Sequence, residues 1–302
     1  MNKKFSVIFI LVYLVQFYLG YSLGEKIRVS FLDVGQGDSI LVQLHGDYDI
    51  LVDGGEGNSV IIELGKLMAP WNRKIEVMIL THPHLDHIGG LIEVLDRFDV
   101  EEVWLYPIGY KTPEFLIIAT QILSDIKDVI IRYPYKGYSD SIRNLSLRII
   151  WPSTSSQYSS NVDLAGLIMG HESKTTSKSS FSGNKVNNSS LVLLLEYGEF
   201  SILLPGDAEI EAEDRYVIGL GSFSPISVVK AGHHCSRTAS SEKLLSVIDP
   251  ELVICSFGKG NKFGHPHSET ISRFKSMKIP YLSTMEEGTI SIESDGNSWW
   301  LL

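Results

Sequence analysis

The sequence predicts an α/β protein in which two sheets pack face to face and helices cover both outer sides, an αββα sandwich. Strand patterns and amphipathic helix patterns alternate along the chain, which is typical of sheets covered by helices. The two halves resemble each other as layers of sheet and helix, although no internal sequence repeat is evident. The length of 302 residues favours one domain with a sizeable core, even after a leader is removed.

Residues 1–24 predict a leader that directs the chain across a membrane. Lys3 and Lys4 precede the apolar stretch 5–19, which is shorter than the roughly 20 apolar residues that span a bilayer. A cleaved signal peptide is therefore favoured, and an uncleaved membrane anchor stays an alternative. Both place the domain at 25–302 outside the cytoplasm.

The first half predicts strands separated by glycine turns, followed by alternating helices and strands. A helix at 59–67 leads to a buried strand at 75–80, and further helices are expected at 91–97 and 113–127. The other expected strands are 26–32, 39–44, 49–52, 102–105, 129–132 and 145–151.

A serine-rich insertion at 152–190 separates the halves and predicts a mobile loop, with one short helix at 164–169. Such a loop could overhang a cleft or be an inert surface excursion. The second half predicts a hairpin at 191–196 and 200–204. The elements expected after it are helices at 208–218, 240–247 and 268–277, and strands at 226–230, 252–256, 281–283, 289–292 and 299–302.

A cluster of histidines and an aspartate directly follows the buried strand at 75–80. Within six positions stand His82, His84, Asp86 and His87. Imidazole and carboxylate groups are ligands that suit Zn²⁺, Mn²⁺ or iron, and without a cation the crowded polar groups would be poorly satisfied. The cluster therefore predicts a metal site, and a chance surface cluster is the less favoured alternative.

The spacing His-x-His-x-Asp-His resembles the signature of the metallo-β-lactamase superfamily. Asp53, Asp207 and His233 each follow an apolar strand in the order typical of that superfamily. Segments that narrow the resemblance to the hydrolase domain of ComEC-type DNA-uptake (competence) proteins are 31–39, 187–190, 232–236 and 263–266. The resemblance covers roughly residues 27–302 and implies the metallo-β-lactamase type of αββα sandwich.

The resemblance implies a site for one or two divalent ions, Zn²⁺ or Mn²⁺. The first ion would be held by His82 and His84. The second ion would be held by Asp86, His87 and His233, and Asp207 would bridge the two ions. Asp86 would also be catalytic, because it helps to build the site that activates water.

Four other residues receive roles from the same resemblance. Asp53 would orient a histidine or the attacking water, although a simple turn aspartate is the alternative. His265 would contact a phosphate or protonate the leaving group. The first ion lacks its usual third histidine, and Asn188 stands near that point as an oxygen ligand that would favour Mn²⁺, while His234 is a further candidate ligand.

The chain contains two cysteines, Cys235 and Cys255, so no disulfide framework is expected. Two small buried apolar side chains are favoured over a bridge, which would require that the strands carrying them adjoin. Cys235 stands where ComEC-type domains carry glycine, so it could add a metal ligand or change the freedom of its loop.

With a net charge of −10, the chain lacks the excess of basic residues expected of a tight nucleic-acid binder. Bound divalent ions would nevertheless attract a phosphate group locally. Lys230 could bind phosphate, or it could lie on a solvated face. The resemblance implies an exported hydrolase of phosphodiester bonds, a nuclease acting on DNA. Two alternatives stay open: a metallo-hydrolase of a small ester, lactone or β-lactam, and a non-catalytic metal-binding module in DNA uptake.

Overall fold

The computed structural model describes residues 25–105, 112–124, 129–153 and 186–302. The leader expected at 1–24 lies outside these residues, as do the helix expected at 164–169 and most of the serine-rich insertion. Within the described ranges, no helix is both long enough and apolar enough to cross a membrane.

The first sheet has eight strands and is built mainly from the first half of the chain. In sequence order its strands are β1 (Ile27–Phe31), β2 (Ile40–Leu44), β3 (Tyr48–Val52), β4 (Lys74–Leu80), β5 (Asp99–Leu105), β6 (Ile130–Arg132), β14 (Ile290–Ser294) and β15 (Trp299–Leu301). Their spatial order is β15-β14-β1-β2-β3-β4-β5-β6. The pairs from β3 to β6 are parallel, so the loops after β3 and β4 leave the same edge of the sheet.

The second sheet has seven strands in the spatial order β13-β12-β11-β10-β9-β8-β7. These strands are β7 (Ser139–Ile142), β8 (Leu145–Trp151), β9 (Val192–Tyr197), β10 (Phe200–Leu204), β11 (Val228–Lys230), β12 (Leu252–Cys255) and β13 (Tyr281–Ser283). The pairs from β10 to β13 are parallel, and the loops after β10 and β11 therefore also share one edge.

Eight α-helices flank the two sheets in the described part of the chain. They are α1 (Ser59–Leu67), α2 (Leu85–Ile88), α3 (Leu91–Arg97), α4 (Pro113–Ser124), α5 (Ile210–Leu220), α6 (Glu242–Ile248), α7 (Ser268–Ser276) and α8 (Thr284–Glu287). One apolar core lies between the sheets and contains, for example, Val29 of the first sheet and Ile202 of the second. Separate cores join the first sheet to α1, α3 and α4, and the second sheet to α5, α6 and α7. The predicted αββα sandwich is confirmed.

Three short strands or α-helices were not predicted. The edge strand β7 has the sequence Ser-Asp-Ser-Ile, whose polar residues disfavour strands in isolation, and only its pairing with β8 makes it a strand. The other two are single helical turns, α2 inside the histidine cluster and α8 directly after β13. Residues 208–209 do not begin the predicted helix, because the loop after β10 extends to Glu209.

The expectation that Cys235 and Cys255 are unpaired is wrong, since the two residues form a disulfide. Strands β11 and β12 are parallel neighbours, with Lys230 opposite Ile254. The chain segments that leave the ends of these strands therefore lie side by side, and the two Cα atoms are 5.9 Å apart. A bridged Cys235 has no free thiolate to offer a metal ion.

Packing between the sheets can be tested by truncating Ile202, which is fully buried in the core between them. The change Ile202→Ala should lower the free energy of unfolding by about 2–5 kcal/mol, because it leaves a cavity. The control Ile218→Ala removes the same atoms from a side chain that is 83% exposed, and should change it by less than about 0.5 kcal/mol. Urea denaturation followed by circular dichroism measures both, and equal losses would contradict the assigned core.

Candidate metal centre

The candidate site lies between the two sheets, where loops from both of them meet. The first sheet contributes Asp38 from the loop before β2, Asp53 after β3, and the histidine cluster after β4. The second sheet contributes Asp207 after β10 and the turn Gly232–Cys235 after β11. Packing of the two sheets therefore brings these groups together.

Gly37 allows the loop before β2 to reach the histidine cluster. A Cβ atom at this position would lie 2.0 Å from the backbone oxygen of Asp86, and the φ angle of Gly37 is +119°. The neighbouring Asp38 donates its backbone N–H to the same oxygen over 3.1 Å. Only glycine permits this approach, which fixes the Asp38 side chain beside the cluster.

A first donor group consists of Asp38, His87, Asp207 and His234, all of them buried. One ligand atom from each lies within 4.8 Å of the others. His87 Nε2 is 3.2 Å from both Asp207 Oδ1 and His234 Nε2, and Asp86 Oδ2 lies 3.4 Å from His234 Nε2. These nitrogen and oxygen atoms converge at one point.

A second donor group consists of His82, His84 and Asp207. His82 Nε2 lies 3.1 Å from His84 Nδ1 and 3.6 Å from Asp207 Oδ2. His233 Nε2 is 3.8 Å from the same Asp207 oxygen. Asp207 thus offers Oδ1 to the first group and Oδ2 to the second.

A buried oxygen indicates that the site is built for cations. Asp207 Oδ1 lies 3.2 Å from His87 Nε2 and 3.4 Å from His234 Nε2, but it makes no well-aligned hydrogen bond within the described residues. Leaving a buried carboxylate oxygen unsatisfied is costly, and a divalent ion held by imidazoles and carboxylates removes that cost. The donor set therefore fits one or two such ions, and its chemistry does not distinguish zinc from manganese.

The structure places His234, rather than His233, next to Asp86 and His87. The turn Gly232–Cys235 carries left-handed backbone angles at His233 and His234, with φ values of 47° and 53°. This turn directs the buried His234 ring into the first donor group and leaves the His233 side chain 24% exposed at the edge of the second. The sequence predicts the strand that leads to this turn, but it does not reveal the left-handed backbone angles. The choice of His234 over His233 could therefore not be predicted from the sequence.

Asn188 does not offer its oxygen to an ion. Its Oδ1 accepts the backbone N–H of Glu209 over 2.9 Å, and its Nδ2 lies 3.3 Å from Glu211 Oε2. The neighbouring Asn187 donates to Glu209 Oε1, which lies 3.2 Å from His233 Nδ1. The asparagine pair therefore holds Glu209, and Glu209 orients the His233 ring with Nε2 toward Asp207.

Asp53 orients His87 from the side that faces away from the donor groups. Its Oδ2 lies 2.7 Å from His87 Nδ1, and its carboxylate also accepts the backbone N–H and the hydroxyl of Thr81. A ligand histidine commonly donates its second ring nitrogen to a carboxylate in this way, which fixes the tautomer and the direction of the ring.

Lys230 and Asp38 form a buried ion pair that the sequence did not reveal. The Lys230 side chain is fully buried, pairs with Asp38 Oδ2, and lies 3.8 Å from Asp207 Oδ1. The expectation that Lys230 meets solvent or phosphate is therefore wrong. In the sequence, Asp38 stands between Gly37 and Ser39 in a short glycine-rich loop. This pattern alone does not indicate that Asp38 belongs to the site.

Buried carboxylates control the protonation of the site. Burial works to lower the pKa of His87, but the carboxylates of Asp207 and Asp53 raise it to about 10. Burial likewise opposes the charge on His234, and Asp207 and Asp38 raise its pKa well above the ordinary value. Protons on these rings thus balance the negative charge when no other cation does so.

His265 lies at the rim of the site. Its ring centroid is 5.6 Å from that of His233, and the exposed Phe263 stacks on it at 5.7 Å. Asn261 fixes its backbone through two hydrogen bonds. Burial, followed by the nearby His234 and His233, lowers the pKa of His265 to about 3, so its ring is neutral at pH 7 in the metal-free protein.

Comparison with known proteins agrees with this geometry. Residues 32–141 match the family described as the metallo-beta-lactamase superfamily. The chain is 27% identical to ComE operon protein 3 of Bacillus subtilis over 291 residues, which cover 89% of this chain and 33% of that protein. It is 31% identical to Competence protein ComA of Neisseria gonorrhoeae over 104 residues, or 34% of this chain and 15% of ComA.

A solved structure with the same architecture is the metallo-beta-lactamase fold protein YhfI from Bacillus subtilis. It superposes with a TM-score of 0.54 at 11% identity, covering 89% of this chain and all of YhfI. The chain therefore has the metallo-β-lactamase fold, with a candidate site for one or two metal ions. It spans about a third of the length of ComE operon protein 3.

The ion pair between Lys230 and Asp38 can be tested in metal-free protein. The change Lys230→Met should lower the free energy of unfolding by about 3–5 kcal/mol, because it leaves a buried carboxylate without its partner. The double variant Asp38→Asn with Lys230→Met should recover much of this loss. As a control, Lys243→Met breaks an exposed pair with Asp214 and should cost at most about 1 kcal/mol. Equal effects at both lysines in chemical denaturation would contradict the burial of Lys230.

Metal binding should release protons near neutral pH. Because the pKa of His87 is raised to about 10 and that of His234 is raised well above its ordinary value, this pair of rings holds protons near neutral pH that must leave before an ion binds. We expect roughly one proton or more per ion, and an apparent affinity that rises with pH up to about 10. Calorimetry in buffers with different ionisation enthalpies measures the release. Asp53→Asn removes one cause of the raised His87 pKa and should therefore reduce the number of protons released. Metal binding without proton release would contradict this electrostatic account.

Proposed function

We propose that this protein is an exported metal-dependent phosphodiesterase that acts on DNA. The observation that carries the proposal is the pair of donor groups that share Asp207, one on each carboxylate oxygen. When bound, a pair of divalent ions supplies a water of lowered pKa and positive charge against the oxygens of a phosphoryl group.

Ligand roles follow from the two donor groups. On one side, His82, His84 and Asp207 would hold an ion, and His233 would complete this set in place of the usual third histidine. This part of the proposal is supported by the contact of His233 Nδ1 with Glu209, which leaves Nε2 directed at Asp207.

The other side would be held by His87, His234 and Asp207, together with an acidic ligand. Asp86 and Asp38 both lie close enough to His234 to serve. Because Lys230 already pairs with Asp38, Asp86 is the carboxylate that remains to face an ion. Its pKa is held far below the ordinary value, chiefly by His234 and His87 acting against burial, so Asp86 is ionised at neutral pH.

The proposed substrate rests on the similarity to competence proteins and on the rim of the site. Phe263 is 47% exposed, and Lys262 Nζ lies 5.1 Å from the centre of its ring. An exposed aromatic ring beside a cation suits the stacking of a nucleobase and the attraction of a phosphate. His265 lies between Phe263 and His233, where it would contact a phosphate bound at the ions.

The proposed location outside the cytoplasm is supported by the disulfide between Cys235 and Cys255. Disulfides persist in oxidising compartments and are rare in the cytosol, where thiols are kept reduced. Mass spectrometry of the protein from its native host tests the location. A new N-terminus near Glu25 would support a cleaved leader, an intact Met1 in the membrane fraction would support an anchor, and soluble cytoplasmic protein would contradict both.

Metal content and a substrate panel test the activity itself. Protein purified without chelators should contain divalent metal and should hydrolyse DNA or a phosphodiester such as bis(p-nitrophenyl) phosphate. Chelation should abolish this hydrolysis, and Zn²⁺ or Mn²⁺ should restore it. Cleavage of a β-lactam or a lactone alone would favour a small-ester hydrolase. Metal-loaded protein that binds DNA and cleaves nothing would favour a non-catalytic module.

The change Asp86→Ala should abolish phosphodiesterase activity while the fold stays intact, because the side chain lies on the single helical turn α2 at the end of the sheet and not in an apolar core. His265→Ala should cost less, since the loss of one acid–base group or phosphate contact lowers a rate by roughly 10²–10⁴-fold. Asp96→Ala is the matched control, because Asp96 is exposed on α3 and bonds to Gln121 away from the site. Turnover numbers with circular dichroism of each variant measure these effects, and the opposite ranking would mean that the two roles are reversed.

A further inference from the structure

The turn that follows β11 carries two candidate ligands in an unusual backbone conformation. His233, His234 and Cys235 have φ angles of 47°, 53° and 63°. Residues other than glycine rarely adopt the left-handed region, because the Cβ atom then crowds the following carbonyl oxygen. Three consecutive residues in this region need support from the surrounding structure.

We propose that the disulfide between Cys235 and Cys255 is the positioning element that holds this turn in its ligand-presenting conformation. The site would then bind metal tightly only while the disulfide is intact. The proposal rests on the proposed metal-dependent function and adds a control by oxidation state to the same site.

The disulfide joins the two chain segments that enclose the His234 ring. Cys235 directly follows His234, and His234 Nδ1 lies 3.1 Å from the backbone oxygen of Ser256, the residue after Cys255. Both cysteines are fully buried and pack with Leu245 and Phe274. The bridge therefore fixes the distance between the ligand and the carbonyl group that orients it.

Hydrogen bonds alone hold the turn less completely. The backbone oxygen of Cys235 accepts the N–H of His267 over 3.1 Å, His233 donates its N–H to Gly206 over 3.2 Å, and Ser236 donates its N–H to the oxygen of His233 over 2.9 Å. Each of these bonds can break and re-form as the chain fluctuates, whereas the covalent bridge cannot. A turn that samples relaxed conformations presents both imidazoles in a smaller fraction of molecules, and its apparent metal affinity falls by that fraction.

Reduction would open the bridge by an ordinary exchange reaction. A dithiol reductant supplies two electrons and two protons, the bond between the two Sγ atoms breaks, two thiols form, and the reductant closes its own disulfide. Cys235 would then be an ordinary L-residue at a φ of 63°, without the bond that holds it there.

A pair of double variants isolates the backbone effect. In Cys235→Gly with Cys255→Ala the bridge is absent, but glycine adopts positive φ without strain. In Cys235→Ala with Cys255→Ala the bridge is also absent, and a Cβ remains at the strained position. The two proteins differ by one methyl group, and the glycine form should bind metal about 5- to 30-fold more tightly, the ratio expected from one left-handed residue.

The experiment titrates Co²⁺ and Zn²⁺ into chelator-treated full-length protein and follows the visible absorption of bound Co²⁺. Four samples are compared: oxidised wild type, wild type reduced with dithiothreitol and desalted under argon, and the two double variants. Circular dichroism confirms that each is folded at the temperature used. We expect the oxidised protein to bind most tightly, the glycine variant next, and the reduced protein and the alanine variant most weakly, with an altered Co²⁺ spectrum.

Three results would overturn the inference. They are equal affinity and spectrum before and after reduction, indistinguishable glycine and alanine variants, and a Co²⁺–thiolate absorption band in the reduced protein, which would make Cys235 a ligand instead. Failure of the proposed function looks different, because the oxidised wild type would then bind no metal. A disulfide that only stabilised the fold would change the unfolding temperature and leave the Co²⁺ affinity and spectrum unchanged.

Discussion

Asp207 is the residue on which the rest of the site depends, because its buried carboxylate divides its two oxygens between two groups of imidazoles. Burial would raise the pKa of Asp207, yet His234, His87 and His233 hold it well below the ordinary value. A carboxylate kept ionised inside a protein must be surrounded by positive charge. Lys230 and the protonated His87 supply this positive charge in the metal-free protein. The donor atoms that converge on Asp207 would hold metal ions that supply it instead.

The two sheets supply complementary halves of this charge balance. The first sheet brings Asp38, Asp53 and the histidine cluster, and the second brings Asp207, Lys230 and His234. Neither half satisfies its own buried charges, since Lys230 on β11 pairs with Asp38 before β2. The apolar core between the sheets therefore fixes the site as well as the fold, because it sets the distance at which these partners meet.

Two features adapt this chain's site to its own sequence. Where the resemblance predicts that a third histidine is missing, Asn187 and Asn188 hold Glu209, and Glu209 turns His233 toward Asp207. Where the same resemblance predicts glycine, Cys235 occupies a left-handed position and is bridged to Cys255. In both places, a contact with a neighbouring loop fixes the position of a candidate ligand, His233 in the first case and His234 in the second.

The sequence by itself determined the αββα sandwich, the order of most strands and helices, and the cluster His82 to His87, because periodicity and short motifs are local properties. Tertiary structure alone decided that the last strands, β14 and β15, join the first sheet beside β1. It also decided that Asp38 and Lys230 form a buried pair, that His234 enters the first donor group, and that the two cysteines are bonded. Each of these depends on which loops become neighbours when the sheets pack, and the backbone angles of a left-handed turn leave no periodic pattern in the chain.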